Sequence, residues 1–252
     1  MLFVGGLLPY LLLVLLPTLA ITGWAAWKVR STYSRWSQVD SGITMSAFDF
    51  ARYLLNAQGL NDVRIEAIQG SLTDNYDPRS KTLRVSSAVA GQPEVAHYDP
   101  YATSIGVPMS RPYLSVAAVS VIAHEVGHAR QHADHDPAMS LRQKIVPVAQ
   151  IGSSLAPWLI ILGIFLKLTG LAMLGLVFFA AAVAFTFITL PVEFGASRRA
   201  LAFVEPLGLQ GQRGEGAKQV LRAAGFTYVA AALTALLTFF YYVMLFFGGS
   251  RR

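Results

Sequence analysis

Five residues, His124-Glu125-Val126-Gly127-His128, carry the most specific chemistry in the chain. Residues four apart share one face of a helix, so both imidazoles of an H-E-x-x-H sequence can reach one tetrahedral zinc ion. Glu125 stands where a carboxylate can accept the proton of a zinc-bound water. Gly127 removes a side chain beside the site and lets another element pack closely. A chance match is expected in about one chain per hundred of this length. The apolar run Leu114 to Ala123 just before the motif supplies the helix it needs. The competing explanation is a pair of hydrogen-bonded structural histidines.

A zinc site of this kind needs a third protein ligand. Asp134 lies at the spacing of H-E-x-x-H-x-x-G-x-x-H/D sites, but those use a glycine to turn the chain back, and here Gln131 occupies that position. His132 continues the helical face, one further turn or ~6 Å along the axis. His135 and Asp136 have no recognised spacing. Glu193, within Leu190-Pro191-Val192-Glu193-Phe194, ends a long apolar run and is the only carboxylate between Asp136 and Glu205. A carboxylate placed there is costly unless paired or metal-bound. The alternatives for it are an interfacial glutamate reaching water, or a partner of Arg198 or Arg199.

The elements that must position these groups are written in the composition. Of 252 residues 54% are hydrophobic and only 13% charged, where soluble domains run at about 25% charged. Mean hydropathy is +0.48. Such a chain has too little polar surface for an ordinary soluble domain. Apolar runs at Leu2–Trp27, Val146–Leu166, Leu171–Val192 and Phe226–Phe247 are each long enough to cross a hydrocarbon core of ~30 Å. The net charge of +6 comes from basic residues flanking these runs, which points to a lipid bilayer rather than nucleic acid. With no cysteine, disulfides, Cys-zinc sites and thiol nucleophiles are excluded, leaving His, Asp and Glu as metal ligands.

Lys28, Arg30, Arg35, Arg142, Lys144, Arg198, Arg199, Arg213, Lys218 and Arg222 fall on one side of these spans, and Lys167, Arg251 and Arg252 on the other. The positive-inside rule then predicts both large polar segments in the cytoplasm and both termini outward. The expected organisation is a first transmembrane helix over residues 1–27, then a cytoplasmic domain over 28–145 holding the H-E-x-x-H helix. A transmembrane hairpin over 146–192 follows, turning at Lys167-Leu168-Thr169-Gly170, then a cytoplasmic segment over 193–225 and a fourth helix and tail over 226–252. The fold class is thus mainly α, a multi-pass protein of the cytoplasmic membrane with a small α+β domain between the first two spans. The hairpin returns Glu193 to the side on which the histidines lie.

Within 28–145, Thr44 or Ser46 can cap a helix bearing Phe48, Ala51, Leu54 and Leu55, stopped at Gly59. Alternation predicts strands at Val63–Ala67 and Leu83–Val85, with the turn formers of Ser71–Pro78 between them. Residues 88–112 read as a long loop, and Ser110 and Pro112 as a helix start. If the strand at 82–86 lies beside the active-site helix, an extended peptide can add to its edge.

The stretches Gly70–Arg79, His124–Gln131, Val146-Pro147-Val148-Ala149-Gln150-Ile151-Gly152-Ser153 and Leu190–Phe194 resemble the YugP-type family of bacterial membrane zinc metallopeptidases. The resemblance spans nearly the whole chain. It implies a cytoplasmic-side zinc endopeptidase site with one zinc per chain. The resemblance also has departures: Asn75 stands where the family usually has His, and Gly195 where it usually has Asp. Losing that acid removes a group that would orient a zinc-bound histidine.

The mechanism that follows is metal-assisted hydrolysis of protein or peptide substrates in or near the bilayer. Zinc would sit on His124, His128 and Glu193, with Glu125 as the general base. Tyr76, His97, His132, Arg198 and Arg199 are chemically able to stabilise the oxyanion, and no motif selects among them. The rival is a catalytically weak or inactive zinc-binding membrane scaffold.

Overall fold

The computed structural model describes residues 8–90 and 114–249. Four long apolar helices dominate the described residues, with a small three-stranded sheet. They are α1 (Leu8–Trp36), α5 (Pro137–Phe165), α6 (Thr169–Val204) and α7 (Gly211–Gly249). Between α1 and α5 lie α2 (Ala47–Ala57), β1 (Arg64–Ile68), β2 (Asn75–Asp77), β3 (Thr82–Ser86), the one-turn α3 (Ser87–Ala90) and α4 (Val116–Ala133). Residues 88–90 of the expected loop are helical, while 91–113, with His97, Ser110 and Pro112, lie outside the described residues, as do Arg251 and Arg252.

The helices outrun the apolar stretches that mark them. α6 continues past Glu193 to Val204 and α7 begins at Gly211, so the polar stretch 193–225 is mostly helical. Proline does not stop them: Pro147 and Pro157 stand inside α5 and Pro191 inside α6. Neighbouring helices and local side chains can satisfy the main-chain groups that proline frees.

The chain divides into two compact units. The first comprises residues 1–29, 137–193 and 224–252, and the second residues 30–136 and 194–223. The division falls after Glu193 and within α6, an unbroken helix.

In the first unit α5 and α6 form the expected antiparallel hairpin. Lys167 takes a left-handed conformation at the turn (φ 57°), and the amide of Leu168 closes it on the Gly163 carbonyl. Glycines let the two helices approach, since a Cβ on Gly152 would stand 2.7 Å from the carbonyl oxygen of Phe178. Small residues at such crossings are how apolar helices gain contact without a hydrophobic drive between them. Helix α1 packs on α7 through Tyr10 against Tyr241 and Trp24 against Phe226, with ring centroids 5.2 and 5.4 Å apart.

In the second unit Ser46 is the cap of α2, its Oγ accepting from the Asp49 amide at 3.1 Å. Ser115 does the same for α4 through Ala118. The apolar faces of α2 and α4 meet the sheet in a core of Phe50, Leu54, Leu55, Leu83, Val85, Val119, Ile122 and Val126. The sheet order is β1-β3-β2, with β1 parallel and β2 antiparallel to β3.

Two sequence expectations change here. The turn-rich stretch before Pro78 contains a strand, Asn75–Asp77. It is short and polar, so no alternation announced it. The strand at 82–86 is central and paired on both sides, so it has no edge to offer a peptide. The edge strand touching the chemistry is β2.

Candidate metal centre

Helix α4 carries the H-E-x-x-H residues, and α6 is brought against it by the absence of side chains. A Cβ on Gly127 would lie 2.7 Å from the main-chain oxygen of Ala196. No other residue type permits that approach without moving a backbone. One residue on, Ser197 Oγ stands 3.2 Å from His124 Nδ1. Glu193 precedes Ser197 by four residues, and residues so spaced share one helical face. The ligand atoms of His124, His128 and Glu193 all lie within 4.8 Å of one another, so these three could hold a metal ion. Glu193 is 2% exposed and His128 7%.

The donor set itself fits a zinc ion. His128 Nδ1 is 2.9 Å from Gln131 Oε1, and His124 Nδ1 faces Ser197. Nδ1 of each ring thus faces a neighbouring side chain, an arrangement in which Nε2 could take a metal. Two imidazoles and a carboxylate form the open three-ligand set of hydrolytic zinc sites. Each of the two histidines thus has a polar side chain beside its Nδ1.

Glu125 is held from a different direction. The main-chain amide of Tyr76, in edge strand β2, donates to Glu125 Oε2 at 2.7 Å, and Glu125 is 8% exposed. Asn75, in the same strand, pairs with Arg84 of β3.

Glu193 lies 3.3 Å from Nη1 of Arg142, in the first turns of α5. Arg142, which the sequence reading did not consider, is thus a charge partner of Glu193. Arg199 pairs with Asp136 at 3.3 Å, and Arg198 is exposed. Asp134 is bound to Arg130 at 2.8 Å, and His135 is exposed with a left-handed backbone (φ 52°). Neither Asp134, His135, Asp136 nor His132 falls in the metal-ligand group among the described residues.

Tyr76 Oη and His132 Nδ1 share a hydrogen bond of 2.9 Å. Burial first, then the charges of Asp62 and Asp77, pushes the Tyr76 phenol up to about 12. Burial first, then Lys81 and His135, holds His132 below its usual value against the opposing pull of Asp62. Both groups are consequently neutral near pH 7.

Four contributors escaped the sequence reading. Gln131 stands three residues from His128 and Ser197 four from Glu193, spacings that put each within reach, so helical geometry could have flagged them. Arg142 was visible only as a topology marker, and the Tyr76 amide carries no side-chain signal.

Four helices long and apolar enough to cross a membrane, with an H-E-x-x-H helix and a buried glutamate beside it, define the class. The chain belongs to the family described as "Putative neutral zinc metallopeptidase", which matches residues 11–247. It is similar to the "Putative membrane protease YugP" of Bacillus subtilis (strain 168), 39% identical over 219 residues that cover 86% of this chain and 88% of that protein. No solved structure matches it. Zinc is the family's metal.

Proposed function

We propose that the protein is a membrane-embedded zinc endopeptidase that hydrolyses peptide bonds of membrane or membrane-proximal proteins. The carrying observation is the His124–His128–Glu193 cluster, with ligand atoms within 4.8 Å of one another, beside a Glu125 carboxylate fixed by a main-chain amide. We assign His124, His128 and Glu193 as the ligands and Glu125 as the general base. A zinc ion bound there supplies Lewis-acid polarisation of a water and of the scissile carbonyl.

Glu125 takes the proton of the attacking water and hands it to the departing amine. The Tyr76 amide fixes one carboxylate oxygen, so the carboxylate need not reorganise as the proton moves. Arg142 places a guanidinium 3.3 Å from the buried Glu193 carboxylate and so helps to fix its position. Gly127 sets the separation of α4 and α6 on which all three ligands depend. The excess of Lys and Arg in 28–145 and 193–225 supports a cytoplasmic site, with the H-E-x-x-H helix in a domain inserted between the first two spans.

The test is cleavage of a fluorescently labelled denatured protein, tethered to the same detergent micelle or vesicle. The zinc-loaded chain should cleave it, and Glu125→Gln should keep its zinc while losing 10²–10⁴-fold in rate. Equal behaviour of the two, both silent across several tethered substrates, would favour a zinc-binding scaffold.

A further inference from the structure

We infer that Gln131 is the positioning residue that fixes which nitrogen of His128 meets the metal, and that in this chain its carboxamide occupies the space beside Gly195. This rests on the reading that His128 is a ligand. The side chain of Gln131 is among the most deeply buried polar groups of the described residues, 1% exposed, on a helix that also buries Ser120, Glu125 and His128. A carboxamide in that position is costly unless its hydrogen bonds are made. Its Oε1 lies 2.9 Å from His128 Nδ1.

The chemistry of that contact is directional. A carboxamide oxygen only accepts, so the proton of a neutral His128 must sit on Nδ1, and the lone pair falls to Nε2. Ser197 cannot do the same for His124, because a hydroxyl at 3.2 Å donates or accepts with equal ease. The contact of His128 is with a carboxamide oxygen, which accepts and cannot donate.

Gly195 completes the arrangement from α6. A Cβ there would stand 2.8 Å from Gln131 Nε2 and 3.3 Å from Arg199 Nη1. The atom it meets first is the end of a side chain, not a backbone. The fold can accept Gly195→Ala, but only by moving the carboxamide that orients His128. This makes the substitution a probe of positioning rather than of folding.

The test is zinc affinity, measured on the full chain in detergent by competition with a chromophoric chelator. A second readout is the tautomer of His128 in the metal-free, ¹⁵N-histidine-labelled protein. Gln131→Ala should weaken zinc by roughly 10–100-fold, the usual effect of losing a group that orients a metal-bound histidine. It should also mix the Nδ1–H and Nε2–H forms of His128. Gln131→Glu keeps the acceptor and should hold affinity within about threefold of wild type. Gly195→Ala should weaken zinc severalfold in the wild-type background and not at all in Gln131→Ala.

Wild-type affinity in Gln131→Ala, or Gln131→Glu as weak as Gln131→Ala, would overturn the inference. If Gln131→Ala does not fold, the tautomer in Gly195→Ala and the affinity of Gln131→Glu decide it. His128→Ala separates the two claims. Zinc retained in that variant sinks the metal-site reading, whereas zinc lost there but kept in Gln131→Ala sinks only the role of Gln131.

Discussion

The main-chain amide of Tyr76 donates to the carboxylate of Glu125 at 2.7 Å across 49 residues of sequence. The amide fixes one oxygen of the carboxylate to which the general-base role is assigned. Tyr76→Ala retains this amide and loses the ring, while Tyr76→Pro loses both; proline is tolerated in an edge strand. Against Tyr76→Ala, Tyr76→Pro should lower kcat/KM by about tenfold, the value of one ordinary hydrogen bond. Equal kcat/KM for the two variants would show that the amide plays no part.

Arg142 and Glu193 form a pair in which the carboxylate is buried and the guanidinium is 29% exposed. Removing one partner of a buried pair leaves an uncompensated charge. Arg142→Met should therefore destabilise the metal-free protein by ~1–3 kcal/mol, below the fully buried range because arginine still reaches solvent. Zinc at the same carboxylate supplies the missing charge, so the loss should shrink on zinc loading. Thermal unfolding with and without zinc reads this directly. A loss that zinc leaves unchanged would mean that Arg142 acts through packing.

Gly127 allows α4 and α6 to touch. An added methyl would meet a main-chain carbonyl at 2.7 Å, and overpacking of this kind costs roughly 1–3 kcal/mol. Gly127→Ala should lower the melting temperature and weaken zinc binding together, since Ser197 and Glu193 retreat from the histidines as one helix. Normal zinc affinity in a destabilised Gly127→Ala would show that the helix separation does not set the site.

His132 gives a prediction in pH. Its folded pKa is lowered from 6.5, chiefly by burial. A histidine that holds its proton less tightly when folded makes the unfolded state bind more protons below 6.5, so stability falls as the pH drops from there toward the folded value. His132→Gln cannot titrate and should lose less stability than wild type between pH 6.5 and 5. Melting curves of the two proteins across that range should converge as acid is added, and parallel curves would contradict the shift.

The long helices and the grouping of His124, His128 and Glu193 were legible for physical reasons. Apolar runs of membrane length leave few alternatives, and His124 and His128 are set by a local spacing that survives any tertiary context. Glu193 was legible because a carboxylate at the end of an apolar run demands an explanation. The cap at Ser46 and the strand around Leu83–Val85 followed from local signals. What escaped depends on contacts distant in sequence. Asn75–Asp77 is a strand only because β3 pairs with it. Arg142 meets Glu193 because the hairpin brings the start of α5 level with Glu193 near the far end of α6. The extension of α6 through 204 was hidden because polar residues in its last turns mask a helix that packing maintains.

Zinc per chain in detergent-purified protein, wild type beside Glu193→Ala, tests the central claim most directly. The account predicts about one zinc in the wild type and almost none in the variant, because two histidines alone are too few for a tight site. Zinc at full occupancy and unchanged affinity in Glu193→Ala would contradict it, and would return the third ligand to Asp134 or another histidine.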